Sequence, residues 1–262
     1  MQMTRDKRRT PLSILGLATA MLTGCALPPP QAPVAGLSPS SPLIFNAKDT
    51  MAWEVVAFPG KLRTAFRQQR HEGRDSVQAE SAGSASMLRQ RLHIAPHALG
   101  QLSFDWQVDN LMDGADMAKA GHGDSPVRVV LAFDGDRRTF SAHSAMLSEL
   151  SRALTGEELP YATLMYVWSN DLPVETVIVH PRTDHVRKIV VDSGPQYLRQ
   201  WRHHERDVRA DFEKAFGEAP GELQALGIMT DSDNTQSRTR AWYGKIRLSP
   251  NAVHPATSAG LK

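Results

Sequence analysis

Apolar and polar residues alternate through much of this chain, and the alternation is densest at residues 159–170 (LPYATLMYVWSN). There Leu164, Tyr166 and Trp168 fall on one side of an extended backbone and Met165 and Val167 on the other, so the segment predicts a strand with both faces occupied. Residues 128–134 (RVVLAFD) and 188–192 (KIVVD) are equally rich in β-branched and aromatic side chains. The three predict strong strands at the middle of one sheet. At residues 101–108, Leu102, Phe104, Trp106 and Val108 alternate with Ser103, Asp105 and Gln107, the pattern of a strand with one wet face. Shorter strand-like pieces stand at 53–58, 65–69, 76–80, 86–94, 223–230 and 240–248, with Gly, Pro, Asn and Asp between them. This spacing predicts a mostly β protein, an antiparallel β-sandwich of jelly-roll type, with residues 54–58 pairing beside 242–248.

Two stretches break the period of two. Phe140, His143, Leu147, Leu150 and Leu154 recur at three and four residues and end at Gly156, predicting an amphipathic helix over 139–154. Trp201, Val208, Phe212 and Phe216 form a second stripe closed by Gly217, with Pro220 beyond it. Both helices are expected to pack outside the sheets.

The first residues follow a different logic. A basic start (Arg5, Lys7, Arg8, Arg9) leads into an apolar run over 11–22 that is shorter than the roughly 20 residues a membrane-spanning helix needs. Leu22-Thr23-Gly24-Cys25 then resembles a bacterial lipobox, which implies cleavage over residues 1–24 and lipidation of Cys25. Cys25 is the single cysteine of the chain, so no disulfide can form within it. The resemblance implies a place in the bacterial cell envelope, and, by similarity to enteric-type sorting, Ala26 after the cysteine implies the outer membrane, facing the periplasm. A soluble export signal is the alternative. Residues 26–42 (ALPPPQAPVAGLSPSSP) read as extended chain, so 25–50 are expected to be a proline-rich tether before a folded domain over 51–249 and a frayed tail over 250–262.

Removing the leader changes the charge balance. Of 30 basic and 28 acidic side chains, four and one lie in residues 1–24, leaving 26 and 27. A near-neutral chain lacks the surplus of Lys and Arg that nucleic-acid binding draws on, so no nucleic-acid partner is expected.

Three groups of residues carry candidate chemistry. Thr230-Asp231-Ser232-Asp233-Asn234-Thr235 places carboxylate and amide oxygens on a turn, and Asp231, Asp233 and Asn234 are candidate calcium ligands. The same residue types also initiate turns with no ion. Asp116, Asp124 and Arg128 lie in or beside a Gly-rich loop over 110–125, where binding sites tend to gather on a rigid sandwich. Tyr161, Trp168 and Asn170 offer rings and an amide that could hold a sugar, against the plainer reading of core aromatics. No catalytic signature is present: His203-His204-Glu205 is not HExxH, and Ser84 and Ser86 lack a nucleophile elbow. Asp134 and Asp192 at strand ends remain a conceivable acid/base pair.

FPGK at 58–61, GSAS at 83–86, RVVLAFDGD at 128–136, LPYATLMYVWSN at 159–170, DSGP at 192–195, RDVRADFEKAFGEAP at 206–220, and MTDSDNT with AWYGKIRL at 229–235 and 241–248 stand in this order. Together they resemble an uncharacterised bacterial family, domain of unknown function 3047, over about residues 53–248. The closing YGKIRL is similar to the last strand of galactose-binding-like jelly rolls. The family implies no reaction. The expectation is a non-catalytic binding module for a polar ligand such as a saccharide; a hydrolase of envelope polysaccharide and a purely structural envelope protein are the alternatives.

Replacing Cys25 with Ala is expected to release the protein from the membrane fraction. Continued sedimentation of Cys25→Ala with membranes would count against lipidation.

Overall fold

The computed structural model describes residues 43–45 and 53–249. Cys25, the leader, most of the proline-rich stretch and the tail lie outside them. Two sheets pack face to face. The first runs β11 (Arg202–Asp207), β6 (Gln101–Val108), β13 (Arg238–Ser249), β4 (Arg74–Ala82) and β3 (Ala65–His71), with β1 (Leu43–Phe45) paired to the C-terminal part of β13. The second runs β2 (Glu54–Ala57), β5 (Ala85–Ile94), β12 (Leu223–Asp231), β7 (Ser125–Phe133), β8 (Ala162–Ser169), β10 (Val186–Ser193) and β9 (Val177–Val179). Helix α1 (Ala142–Thr155) joins β7 to β8, and α2 (Val208–Phe216) joins β11 to β12.

The alternation places the core between the sheets. Phe104, Trp106 and Val108 of β6 and Tyr243 of β13 face Val129, Leu131 and Phe133 of β7 and Leu164, Tyr166 and Trp168 of β8, all buried. Each such side chain contributes about 1.5–3 kcal/mol by leaving water. The two indoles of this core find acceptors: Trp106 Nε1 donates to Asp192 at 2.8 Å and Trp168 Nε1 to the carbonyl of Gly194 at 3.0 Å. Helix α2 closes one end of the sandwich. Asp207 caps it by accepting from the Ala210 amide, and Gly217, at φ 77°, ends it in the left-handed conformation a side chain would oppose. Its Phe212 is fully buried against Phe133, with ring centroids 4.7 Å apart.

The mostly β sandwich is as the alternation predicts, with several local differences. Strand β2 pairs with β5 and not with β13, because the flanks of β13 are taken by β4, β6 and β1. Glu54 stands opposite Arg89 in that register, and the two form an ion pair at 2.6 Å. Strands β8 and β10 are parallel, so the second sheet is mixed. Strand β1 falls inside the stretch the sequence assigned to the tether. The second helix begins at Val208; residues 202–207, His203 and His204 included, form β11 instead, since Trp201 and Val208 are spaced as two helical turns but the intervening backbone pairs with β6. Helix α1 does not bury its leucines. Ser144 and Ser148 face the protein, while Leu150 and Leu154 remain 51% and 63% exposed.

Truncating Phe212 to Ala should cost roughly 3–5 kcal/mol by opening a cavity under α2. Urea denaturation of Phe212→Ala at the parent's midpoint would show that α2 does not depend on this docking.

Candidate ligand-binding groove

The outward-facing positions of the second sheet are unusually apolar. Val130 and Ala132 on β7, Thr163 and Met165 on β8, Val186 on β10, and Ala225, Gly227 and Met229 on β12 line a cleft of 680 Å³. A face open to water would carry polar side chains at this period. This one is roofed at two ends. Helix α1 turns Leu147, Leu150 and Leu154 toward the cleft from one side. From the other, the loop between β6 and β7 folds over the sheet, and its Met117 packs with Val167, Ile178 and Val190 in a second small core. Gly227 keeps the floor low: a Cβ there would lie 2.7 Å from Met87 Sδ and 3.0 Å from the Leu88 carbonyl.

At the loop end the lining becomes ionic, around a further cavity of 310 Å³ that shares Phe58, Met165, Val186 and Met229 with the apolar cleft. Arg128 and Asp231 stand on adjacent strands, each almost wholly buried, and pair in bidentate fashion at 2.8–2.9 Å. Lys61 reaches Asp233 from the turn after β2. Lys188, 2% exposed on β10, donates to the carbonyl of Met117 at 3.3 Å and has no ion-pair partner among the described residues. Burial, reinforced by Arg128, pulls its ammonium down to about 7, against the attraction of Asp231 and Asp116. Burial likewise pulls His180 down to about 4, with Lys188, Arg128 and Arg182 adding to it, so the imidazole is neutral at physiological pH.

The structure gathers some of the sequence candidates here and scatters others. Arg128, Asp231, Asp233 and Asn234 line the ionic cavity. Asp124 lies behind them, where burial works to raise its carboxyl and the hydrogen bonds from Thr235 and Asn234 outweigh it, holding it below its usual range. Asp116 turns back on its own loop, accepting from the Ala118 amide, and Asn170 holds that loop by donating to the Met112 carbonyl at 2.7 Å. Tyr161 stands elsewhere, stacked on Phe140 and donating to Glu218. Trp168 is fully buried between the sheets and cannot stack on a ligand; its inward position on β8 is shared with Tyr166. Phe58 is the one phenyl, phenol or indole ring among the lining residues of the two cavities. Asp192, considered as an acid or base, is held among Trp106, Arg202 and His204.

For calcium, oxygens of Asp124, Asp231 and Asp233 come within 4.8 Å of one another. They are already committed: Asp231 to Arg128, Asp233 to Lys61, Asp124 to Asn234 and Thr235. An ion would have to displace these cations and donors. The sequence reading passed over Lys188, although a lone lysine at an outward position between Val186 and Val190 was its visible signal.

The family model "Protein of unknown function (DUF3047)" matches residues 51–247. Among proteins of curated function, none matches the chain. Among solved structures, the chain is similar to the family 11 carbohydrate-binding module of a cellulosomal cellulase of Clostridium thermocellum, at 8% identity and a TM-score of 0.40, over 81% of this chain and 96% of that one. It is also similar to the xyloglucanase domain of the type three effector NopAA of Sinorhizobium fredii, in complex with cellobiose, at 8% identity and a TM-score of 0.42, over 81% and 98%. Endoglucanase 3 of Trichoderma harzianum matches at 6% identity and a TM-score of 0.41, over 81% and 98%. No ligand or activity transfers at this level of similarity.

Lys188 also shapes stability. Between about pH 7 and 10.5 the unfolded chain holds a proton on this side chain that the folded chain lacks, so its contribution makes stability rise with pH across that window and flatten below it. Denaturation of the parent and of Lys188→Met at pH 7.5 and 9.5 should show the parent gaining more from the shift; equal gains would mean that Lys188 is not held in this environment.

Proposed function

The chain belongs to the family of proteins of unknown function DUF3047, and we propose that it is a non-catalytic binding module, held in the cell envelope through Cys25, that takes an anionic small molecule at the ionic end of the groove. One observation carries this reading: Lys188 lines a cavity in which the other buried cation, Arg128, is already matched by a carboxylate. A buried ammonium without a counter-ion is costly, and an incoming anion supplies what the fold withholds. Bound, the anion also raises the lysine's proton affinity, so binding draws in a proton near neutral pH. Acidic saccharides fall within this ligand class, and the lipobox-like signal supports a location where glycans are abundant. Their recognition would rest on charge and hydrogen bonds, since Trp168 is unavailable. One ion pair with modest contact area corresponds to micromolar to millimolar affinity, about −8 to −4 kcal/mol.

A thermal-shift screen pairing acidic compounds with their neutral counterparts, glucuronate against glucose among them, is the direct test. Stabilisation by the acids alone, lost in Lys188→Met, is the expected result. Stabilisation by neutral glycans that Lys188→Met leaves intact would move the site elsewhere, and turnover of a glycan would give the case to a hydrolase.

A further inference from the structure

We propose that the groove's ligand is a single-chain acyl carboxylate, its hydrocarbon chain lying in the cleft under α1 and its carboxylate meeting Lys188. This inference rests on the anion-binding reading and names the ligand within it.

The first argument is the cleft's apolar wall, left open by the described residues. Leu150 and Leu154 of α1 and Val55 of β2 are each more than half exposed, yet all three line one cleft opposite a floor of Val130, Ala132 and Ala225. Scattered apolar residues on a surface need no account, but a concave wall of them around 680 Å³ is sized and surfaced for an apolar ligand. Met87, Met165 and Met229 are unbranched and adapt to a flexible chain better than to one rigid shape. A sugar, by contrast, would want stacking rings, and the lining supplies Phe58 alone.

Charge gives the second argument. The apolar cleft meets the ionic cavity at Met165, Val186 and Met229, so a ligand spanning both is apolar along most of its length and anionic at one end. Facing that end are Arg128 from β7, Asp231 from β12, Lys188 from β10, His180 and Arg182 after β9, Lys119 on the covering loop, and the Lys61–Asp233 pair. Arg128 pairs with Asp231 and Lys61 with Asp233, Asp124 behind them is held by Asn234 and Thr235, and His180 is neutral, which leaves Lys188 as the buried cation without an ion-pair partner among the described residues. One buried cation matches a monoanion. A phosphate dianion would set a second negative charge beside Asp231 and Asp233.

Titration calorimetry on the full chain carrying Cys25→Ala, which removes any acyl group of its own, provides the test with dodecanoate, 1-dodecanol and glucuronate as probes. Dodecanoate is expected to bind with a Kd in the range of about 1–100 μM, and dodecanol about tenfold more weakly. Lys188→Met and Leu154→Asp should each weaken dodecanoate about tenfold or more. Leu154 is exposed, so Leu154→Asp remains informative if Lys188→Met does not fold. Glucuronate binding that depends on Lys188, without dodecanoate binding, would overturn the acyl inference and leave the anion reading standing. Absence of binding by both acids would overturn both. Dodecanoate binding indifferent to Leu154→Asp, or loss of a self-associated state in that variant without loss of affinity, would assign the cleft wall to another occupant and overturn the inference.

Discussion

A guanidinium and a carboxylate locked together out of water set the terms for the outer face of the second sheet. Arg128 and Asp231 lie on neighbouring strands, and either alone at that depth would be an uncompensated charge. Their pairing has structural consequences. Asp231 also accepts from the Ser125 amide, and Arg128 donates to the Gly123 carbonyl, so the pair fixes where the long loop after β6 enters β7. Tyr243, reaching through from β13, accepts from the Arg128 amide and bonds Thr230 and the Met229 carbonyl. The ion pair is thereby tied to the first sheet through one phenol.

From that fixed entry the loop can return over β8, β9 and β10 with Met117 as its anchor, and its carbonyl is what Lys188 finds. The polar cavity is therefore a by-product of closing the loop over the sheet. Because Arg128 is committed to Asp231, Lys188 is the buried cation without an ion-pair partner among the described residues. The apolar cleft has an independent origin in α1, which docks through Ser144 and Ser148 and so leaves its leucines to face the gap. Small residues at the contact bring the helix close; large ones away from it furnish a wall.

The interior is conventional by comparison. Aromatic side chains from both sheets fill it, with indole and phenol groups finding acceptors at its margins: Trp106 with Asp192, Tyr166 with Asp211. Among the described residues lining the two cavities, the rings are Phe58 and the imidazole of His180, a composition far from that of an aromatic stacking platform.

Period-two alternation by itself determined most of the strands and which of their residues share a face, because consecutive side chains on an extended backbone must point to opposite sides. Helical spacing marked Phe212 as the buried key of α2, and the composition of a turn and a loop drew attention to Arg128, Asp231 and Asp233. Tertiary structure alone decided which face met the other sheet. Trp168 read equally well as core or ligand platform, and the packing made it core. The leucines of α1 marked a face without saying what would cover it, and serines took the contact instead. His203 and His204 sat between two residues spaced for a helix, yet hydrogen bonds to β6, distant in sequence, made them a strand. Lys188 looked like an ordinary polar position until a loop some 70 residues earlier closed over it. Local pattern fixes periodicity and orientation; burial, pairing and the state of a charge depend on neighbours that only the folded chain brings together.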